Sequence, residues 1–152
     1  MPPTASFHDL KGASVYITGG GSGIGADLTD GFLAQGAKVA FIGRSDASAF
    51  VAEMEAKHGI APLFLQGDIT DTGRLRETVT AAEKAHGAID VLVSNAANDL
   101  RHNWLKLSPN EWDDLLAINL KAYFFAAQAV APAMQARGSG SIINFSSISY
   151  MM

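Results

Sequence analysis

The stretch Thr18 to Gly25, reading TGGGSGIG, constrains this chain more than any other. It follows a short β-rich run, Val15-Tyr16-Ile17, and precedes a segment in which Ile24, Leu28 and Phe32 recur at helical spacing until Gly36 offers a C-terminal stop. A strand, a glycine turn and a helix N-terminus in that order make an anion site, because the first helical N–H groups lack partners and the dipole favours phosphate. Gly19 allows the sharp turn, Gly23 lets backbone approach a pyrophosphate, and Gly25 lets the helix pack closely on the strand. Without those flanks the glycines would mark no more than an ordinary loop.

At 152 residues, 48% of them apolar, the chain suits one domain with a sizeable core, here residues 1–152 as a single dinucleotide-binding unit. That balance excludes disordered and fibrous classes. A net charge of −4 with scattered Lys and Arg gives no surface for nucleic acid. There is no cysteine, hence no disulfide framework, thiol nucleophile or thiolate metal site. His8, His58, His86 and His102 show no ligand spacing, so they read as solvated loop or helix-end residues and no metal is expected. Met1-Pro2-Pro3 lacks a signal-peptide layout, and the longest apolar region, Ala122 to Met134, is too short to span a bilayer. The expectation is a soluble, cytoplasmic protein with no membrane partner.

Taken in order, the chain alternates. After the first strand, turn and helix, Val39 to Ile42 reads as a buried parallel strand, and a helix carrying Phe50, Val51 and Met54 stops at Lys57-His58-Gly59. Leu63 to Leu65 is a third strand ending at Gly67-Asp68. Thr70 or Asp71 caps the next helix, whose apolar stripe is Leu75, Val79 and Ala82 and whose Arg74, Glu77 and Lys84 read as a solvated face. Val91 to Val93 is the fourth strand, with Asn95-Ala96-Ala97 at its exit. Ser108-Pro109-Asn110-Glu111 is a strong helix start, with serine at the N-cap, proline in the first turn and glutamate placed for a capping box. That helix is expected to pass through Trp112, Leu115, Leu116, Asn119, Leu120 and Phe124 to about Arg137, bending near Pro132, before Ile142 to Phe145 forms a fifth strand.

Five strands alternating with four helices define an α/β class, a Rossmann-like doubly wound parallel sheet with helices on both faces, truncated after its fifth strand. Arg44, Asp68, Asn95 and Ser147 each fall just after a strand, so all four should share one rim, at the carboxyl edge where strand order reverses.

The spacing TGxxxGxG, together with Asp68-Ile69, Asn95-Ala96-Ala97, Asn119 and the run IINFSS ending at Ser147, resembles the classical short-chain dehydrogenase/reductase family along the whole chain. The resemblance implies that Thr18, Gly19, Ser22, Gly23, Ile24 and Gly25 form the cofactor loop. It also implies that Asp68 and Ile69 border the adenine and that Asn95 with Ala96 supports the central strand and the cofactor. Asn119 would be the helix asparagine that holds a water of the proton relay, and Ser147 the serine that hydrogen-bonds the reacting substrate oxygen. Each role is physically sensible, since a buried asparagine must find partners and a carbonyl under reduction needs a donor where charge develops. Taken singly, Asn119 reads as a satisfied core amide, Ser147 as a cap or turn residue and Asp68 as a turn cap, and it is the joint fit of Asn119 and Ser147 to the family's order that favours the functional roles. Ala97 stands where the family more often has glycine.

By the same resemblance, hydride passes between a nicotinamide and an alcohol or carbonyl carbon, and a tyrosine beside a lysine moves the proton. That pair normally follows the serine by about a dozen positions and is absent before Met152; Tyr150 stands too close to Ser147 and has no lysine after it. The 152-residue chain alone is therefore expected to bind cofactor poorly and to be inactive, with uncovered apolar residues on the fifth strand and the long helix. Family members commonly pair through that helix, which implies a homo-oligomer for the full-length protein. Where an NAD enzyme places an acid at the end of the second strand, Gly43 stands here with Arg44 beside it, so NADP(H) is expected to be preferred over NAD(H), although Asp46 lies close enough to complicate the assignment. The segments NAANDLRH and SSISYMM look similar to sugar 1-dehydrogenases of the family, which oxidise aldoses, and Arg101 and His102 there are either donors to a hydroxylated ligand or solvated loop residues. The competing readings are a 3-oxoacyl thioester reductase and a non-catalytic dinucleotide-binding or interaction fragment. A phosphate-binding protein of another kind is disfavoured because the glycine loop lacks a P-loop lysine.

Overall fold

The computed structural model describes residues 5–147. Its five strands, β1 (Ser14–Thr18), β2 (Lys38–Gly43), β3 (Leu63–Gln66), β4 (Val91–Ser94) and β5 (Ser141–Asn144), form one sheet in the order β3-β2-β1-β4-β5. Every pairing is parallel. Successive strands pair outward from β1 on either side, so the order reverses between β1 and β4.

Side chains alternate across this sheet with the period of two that extended backbone imposes. Val15 and Ile17 of β1, Val39 and Phe41 of β2 and Val91 and Val93 of β4 pack with Leu33 of α1 (Gly23–Ala34) and with Met54 of α2 (Ser48–His58). Tyr16, Ala40, Ile42 and Leu92 face the other way, onto Leu75, Val79 and Ala82 of α3 (Thr72–His86) and the stripe Ala122, Ala126, Val130 and Met134 of α5 (Ala122–Arg137). The expected doubly wound α/β architecture is thus observed, with helices on both faces.

Local signals hold where they are contiguous in the chain. Asp71 caps α3 by accepting from the Arg74 N–H, and Gly59 ends α2 in the left-handed conformation. Ser108 and Glu111 close the reciprocal capping box that starts α4 (Pro109–Leu116).

Several expectations are corrected. In α1 the buried residues are Gly25, Thr29 and Leu33, while Ile24 is exposed and Leu28 and Phe32 flank the contact. The helix lies on its glycine side because only there can it approach the β1 turn. The long helix is interrupted at Ala117–Lys121, a π-helical turn between α4 and α5, whereas Pro132 sits inside α5. Counted through that turn, Pro109–Arg137 is 29 residues with a window of mean hydropathy 1.3, long and apolar enough to cross a bilayer, so the argument from length against a span does not hold. The buried stripe of α5 packs on α3 and the sheet. His58 is not solvated: its side chain is 12% exposed and pairs with Asp30, which also accepts from Lys57 at 2.7 Å. The Lys57 hydrogen bond is the main cause that holds the Asp30 carboxyl below its ordinary pKa. Arg74 is more than a solvated charge, since its guanidinium donates twice to the Gln66 carbonyl. Trp112, Leu116, Leu120 and Phe124 are exposed, as are Ile142, Ile143 and Phe145, which agrees with the expected lack of cover on the long helix and the edge strand.

Candidate functional site

The sheet ends on its carboxyl side in a cleft of about 1110 Å³. Gly19, Ser22, Gly23, Ile24 and Gly25 form one wall, Arg44, Asp68 and Ile69 a second, and Asn95, Ala96, Asn119 and Ser147 a third. All but Asn119, which comes from the turn between α4 and α5, meet there because they follow strands of the same parallel sheet.

The glycine turn is built for close approach. Gly19 and Gly23 have φ of 72° and 51°, conformations that side-chain-bearing residues rarely adopt. At α1 the Ser22 side chain makes no cap bond and the first turn carries no acid, so among the described residues no side-chain cap competes for the leading N–H groups at the cleft. That arrangement fits an anionic phosphate and hence a dinucleotide pyrophosphate. Thr29 Oγ1 donates to the Gly20 carbonyl at 2.8 Å and ties the turn to the helix one turn further on.

Thr18 corrects an expectation. It is 1% exposed and outside the cleft lining, and its Oγ1 accepts the N–H groups of Asn95 (3.0 Å) and Ala96 (3.1 Å). It therefore joins the exit of β4 to the end of β1, and Asn95 Nδ2 answers by donating to the Thr18 carbonyl at 3.1 Å. Thr18→Val keeps the shape but leaves two N–H groups unpaired, and should lower unfolding free energy by about 2–4 kcal/mol. Chemical denaturation measures this. Thr18→Ser should recover most of the loss, and an unchanged midpoint for the valine variant would show that the hydroxyl is dispensable.

On the second wall, Arg44 has a 72% exposed side chain, 3.9 Å from the Asp68 carboxylate. Asp68 does cap a turn, accepting the Thr70 N–H and hydroxyl at 2.9 and 2.8 Å. Partial desolvation pushes its carboxyl up, but the two Thr70 bonds and the Arg44 charge outweigh that and leave its pKa below the ordinary value. Asp46 also lines the cleft, and its Oδ1 accepts the N–H and hydroxyl of Ser48 at the start of α2. Arg101 and His102 are exposed and outside the cleft lining, the solvated-loop alternative.

On the third wall, Asn119 is exposed, so the expectation of a buried amide is corrected. Its partners are nevertheless well defined: Oδ1 accepts the Asn98 N–H at 2.8 Å and Nδ2 donates to the Asn98 carbonyl at 2.9 Å. It stands in the π-helical turn, a local widening often found at functional sites. Asn98, which anchors the loop after β4, was not legible as a partner, and neither was Tyr123, half-buried in the cleft wall with its phenol pushed up by burial. Helical spacing of Tyr123 from Asn119 was the available signal. Ser147 lies three residues past β5, whose ladder continues through Phe145 N–H to the Ser94 carbonyl at 3.0 Å. Tyr150 lies outside the described residues.

A parallel sheet whose switch-point cleft opens on an uncapped glycine-rich helix start defines a nucleotide-binding α/β protein. The family model for short chain dehydrogenases matches residues 13–152, and the chain belongs to that family. A probable galactose dehydrogenase of Rhizobium meliloti (strain 1021) is 43% identical over 152 residues, 99% of this chain and 59% of that protein. A D-xylose 1-dehydrogenase of Caulobacter vibrioides (strain NA1000 / CB15N) is 43% identical over 148 residues, 97% of this chain and 58% of that protein. The crystal structure of a metagenomic short-chain oxidoreductase in complex with NADP superposes with a TM-score of 0.85 at 35% identity, covering 91% of this chain and 63% of that one. The chain thus spans well under two thirds of the length of the two curated relatives.

Proposed function

We propose that the gene product is an NADP(H)-preferring dehydrogenase that transfers hydride between the nicotinamide and the hydroxyl-bearing carbon of a small alcohol, with an aldose as the substrate class. The carrying observation is the convergence of the uncapped α1 N-terminus, Arg44, Asn95 and Ser147 on one cleft. When bound, the dinucleotide supplies the hydride acceptor or donor. The chain's own residues bind and orient it. The N–H groups that open α1 would hold the pyrophosphate, Asp68 and Ile69 would border the adenine, and Asn95 with Ala96 would support the central strand and the cofactor. Ser147 donates a hydrogen bond to the reacting oxygen, where charge develops. Asn119 keeps the loop at Asn98 in place and retains one amide N–H and one lone pair for a relay water.

The preference for NADP(H) rests on Arg44 beside Gly43, with Asp46 on the same lining and its Oδ1 bonded to Ser48. The NADP complex of the solved relative supports the same cofactor. Arg44→Ala should raise the Kd for NADPH about 10- to 100-fold and leave NADH nearly unchanged. Equal losses for both would show that the arginine does not read the 2′-phosphate.

The aldose reading is supported by the two sugar dehydrogenase relatives. A panel of aldoses and 3-oxoacyl thioesters assayed on the complete gene product separates it from a thioester reductase, and turnover of the thioesters alone would exclude it. The exposed stripe Trp112, Leu116, Leu120 and Phe124 supports a homo-oligomer paired through the long helix, which light scattering on the purified protein checks.

A further inference from the structure

We infer that Gln66 is a positioning residue for the 2′-phosphate of the cofactor, acting through Arg44. The inference rests on the NADP(H) reading above and adds to it the device that aims the arginine.

Strands β2 and β3 pair in register up to Gly43 and Gln66, and the Gly67 N–H closes the ladder on the Gly43 carbonyl at 3.0 Å. Beyond that point β2 turns away, and Arg44 would be held only by the chain behind it. Its carbonyl is held by a side chain: Gln66 Nε2 donates to the Arg44 oxygen at 3.0 Å. One amide therefore extends the sheet by one rung past its last register pair and fixes the peptide that carries the Arg44 side chain.

Gln66 is itself clamped from the other side. Arg74 Nε and Nη2 donate to the Gln66 carbonyl at 3.0 and 2.7 Å, a bidentate hold from α3 onto the end of β3. The clamp requires glycine next in the chain, since a Cβ at Gly67 would stand 2.8 Å from Arg74 Cγ. The Arg44 guanidinium lies 3.9 Å from the Asp68 carboxylate, so the short segment Gln66 to Asp68 at the end of β3 meets both its backbone and its charge. A guanidinium that is 72% exposed loses most of its directional value if its own peptide swings. Fixing the Arg44 peptide matters for a ligand group that the guanidinium must meet bidentately, and little for the rest of the dinucleotide, which the α1 turn holds independently.

The test is titration of NADPH and NADH into the complete gene product carrying Gln66→Met, Arg44→Ala or both. Gln66→Met keeps the length of the side chain and removes the donor. It should raise the Kd for NADPH about three- to tenfold while NADH moves by less than about twofold, and in the Arg44→Ala background it should leave the NADPH to NADH ratio where Arg44→Ala set it. If Gln66→Met weakens both cofactors alike, or shifts the ratio when the Arg44 side chain is gone, the inference is overturned while the phosphate reading stands. An Arg44→Ala variant with an unchanged ratio removes the phosphate reading and this inference with it. Gln66→Asn, too short to reach the Arg44 carbonyl, carries the same expectation should the methionine variant not fold.

Discussion

Gly25→Ala should abolish measurable cofactor binding and destabilise the fold by about 1–3 kcal/mol. A Cβ at this position would lie 1.9 Å from the Gly19 carbonyl oxygen, 2.8 Å from the Gly19 carbonyl carbon and 2.7 Å from Asn95 Nδ2. Two of those atoms are backbone and cannot rotate aside, so α1 must retreat from the turn or the turn must open. Retreat is opposed by Thr29, hydrogen-bonded to the Gly20 carbonyl, and by Leu33 in the core. Either response moves the N–H groups that would meet the pyrophosphate, and Asn95 loses its seat on the Thr18 and Gly19 carbonyls. Thermal unfolding together with a cofactor titration reads both effects. The control is Gly31→Ala in the same helix, where a Cβ meets nothing and stability should rise slightly. Equal behaviour of the two variants would refute the close-packing account.

Ser147→Ala should lower kcat about 100- to 1000-fold with little change in the Kd for NADPH. The serine lines the cleft two residues past Phe145, whose N–H continues the β5 ladder to the Ser94 carbonyl. A hydroxyl that donates to the reacting oxygen is needed where charge develops and contributes little to holding the dinucleotide, so the loss belongs in kcat. Ser147→Thr retains the donor and should recover part of the rate. A fall in cofactor affinity of the same size as the fall in rate would place Ser147 in the binding scaffold instead.

The amino-acid sequence by itself determined the doubly wound class, the glycine-rich start of α1, the capping box at Ser108 and Glu111 and the rim on which Arg44, Asp68, Asn95 and Ser147 gather. These are carried by contiguous residues. A positive φ, a cap and an apolar period each act within a few positions, and the parallel sheet then brings all strand ends to one side. What only the tertiary structure decided depends on partners far apart in the chain. Thr18 serves Asn95 and Ala96, more than seventy positions on, and Asn119 grips a backbone 21 residues earlier, across a π-helical turn that no local pattern announces. The buried side of α1 was likewise set from outside. Ile24, Leu28 and Phe32 present the more apolar stripe, yet the helix turns Gly25, Thr29 and Leu33 inward, because the absence of a Cβ at Gly25 permits a backbone approach that a larger residue there would block.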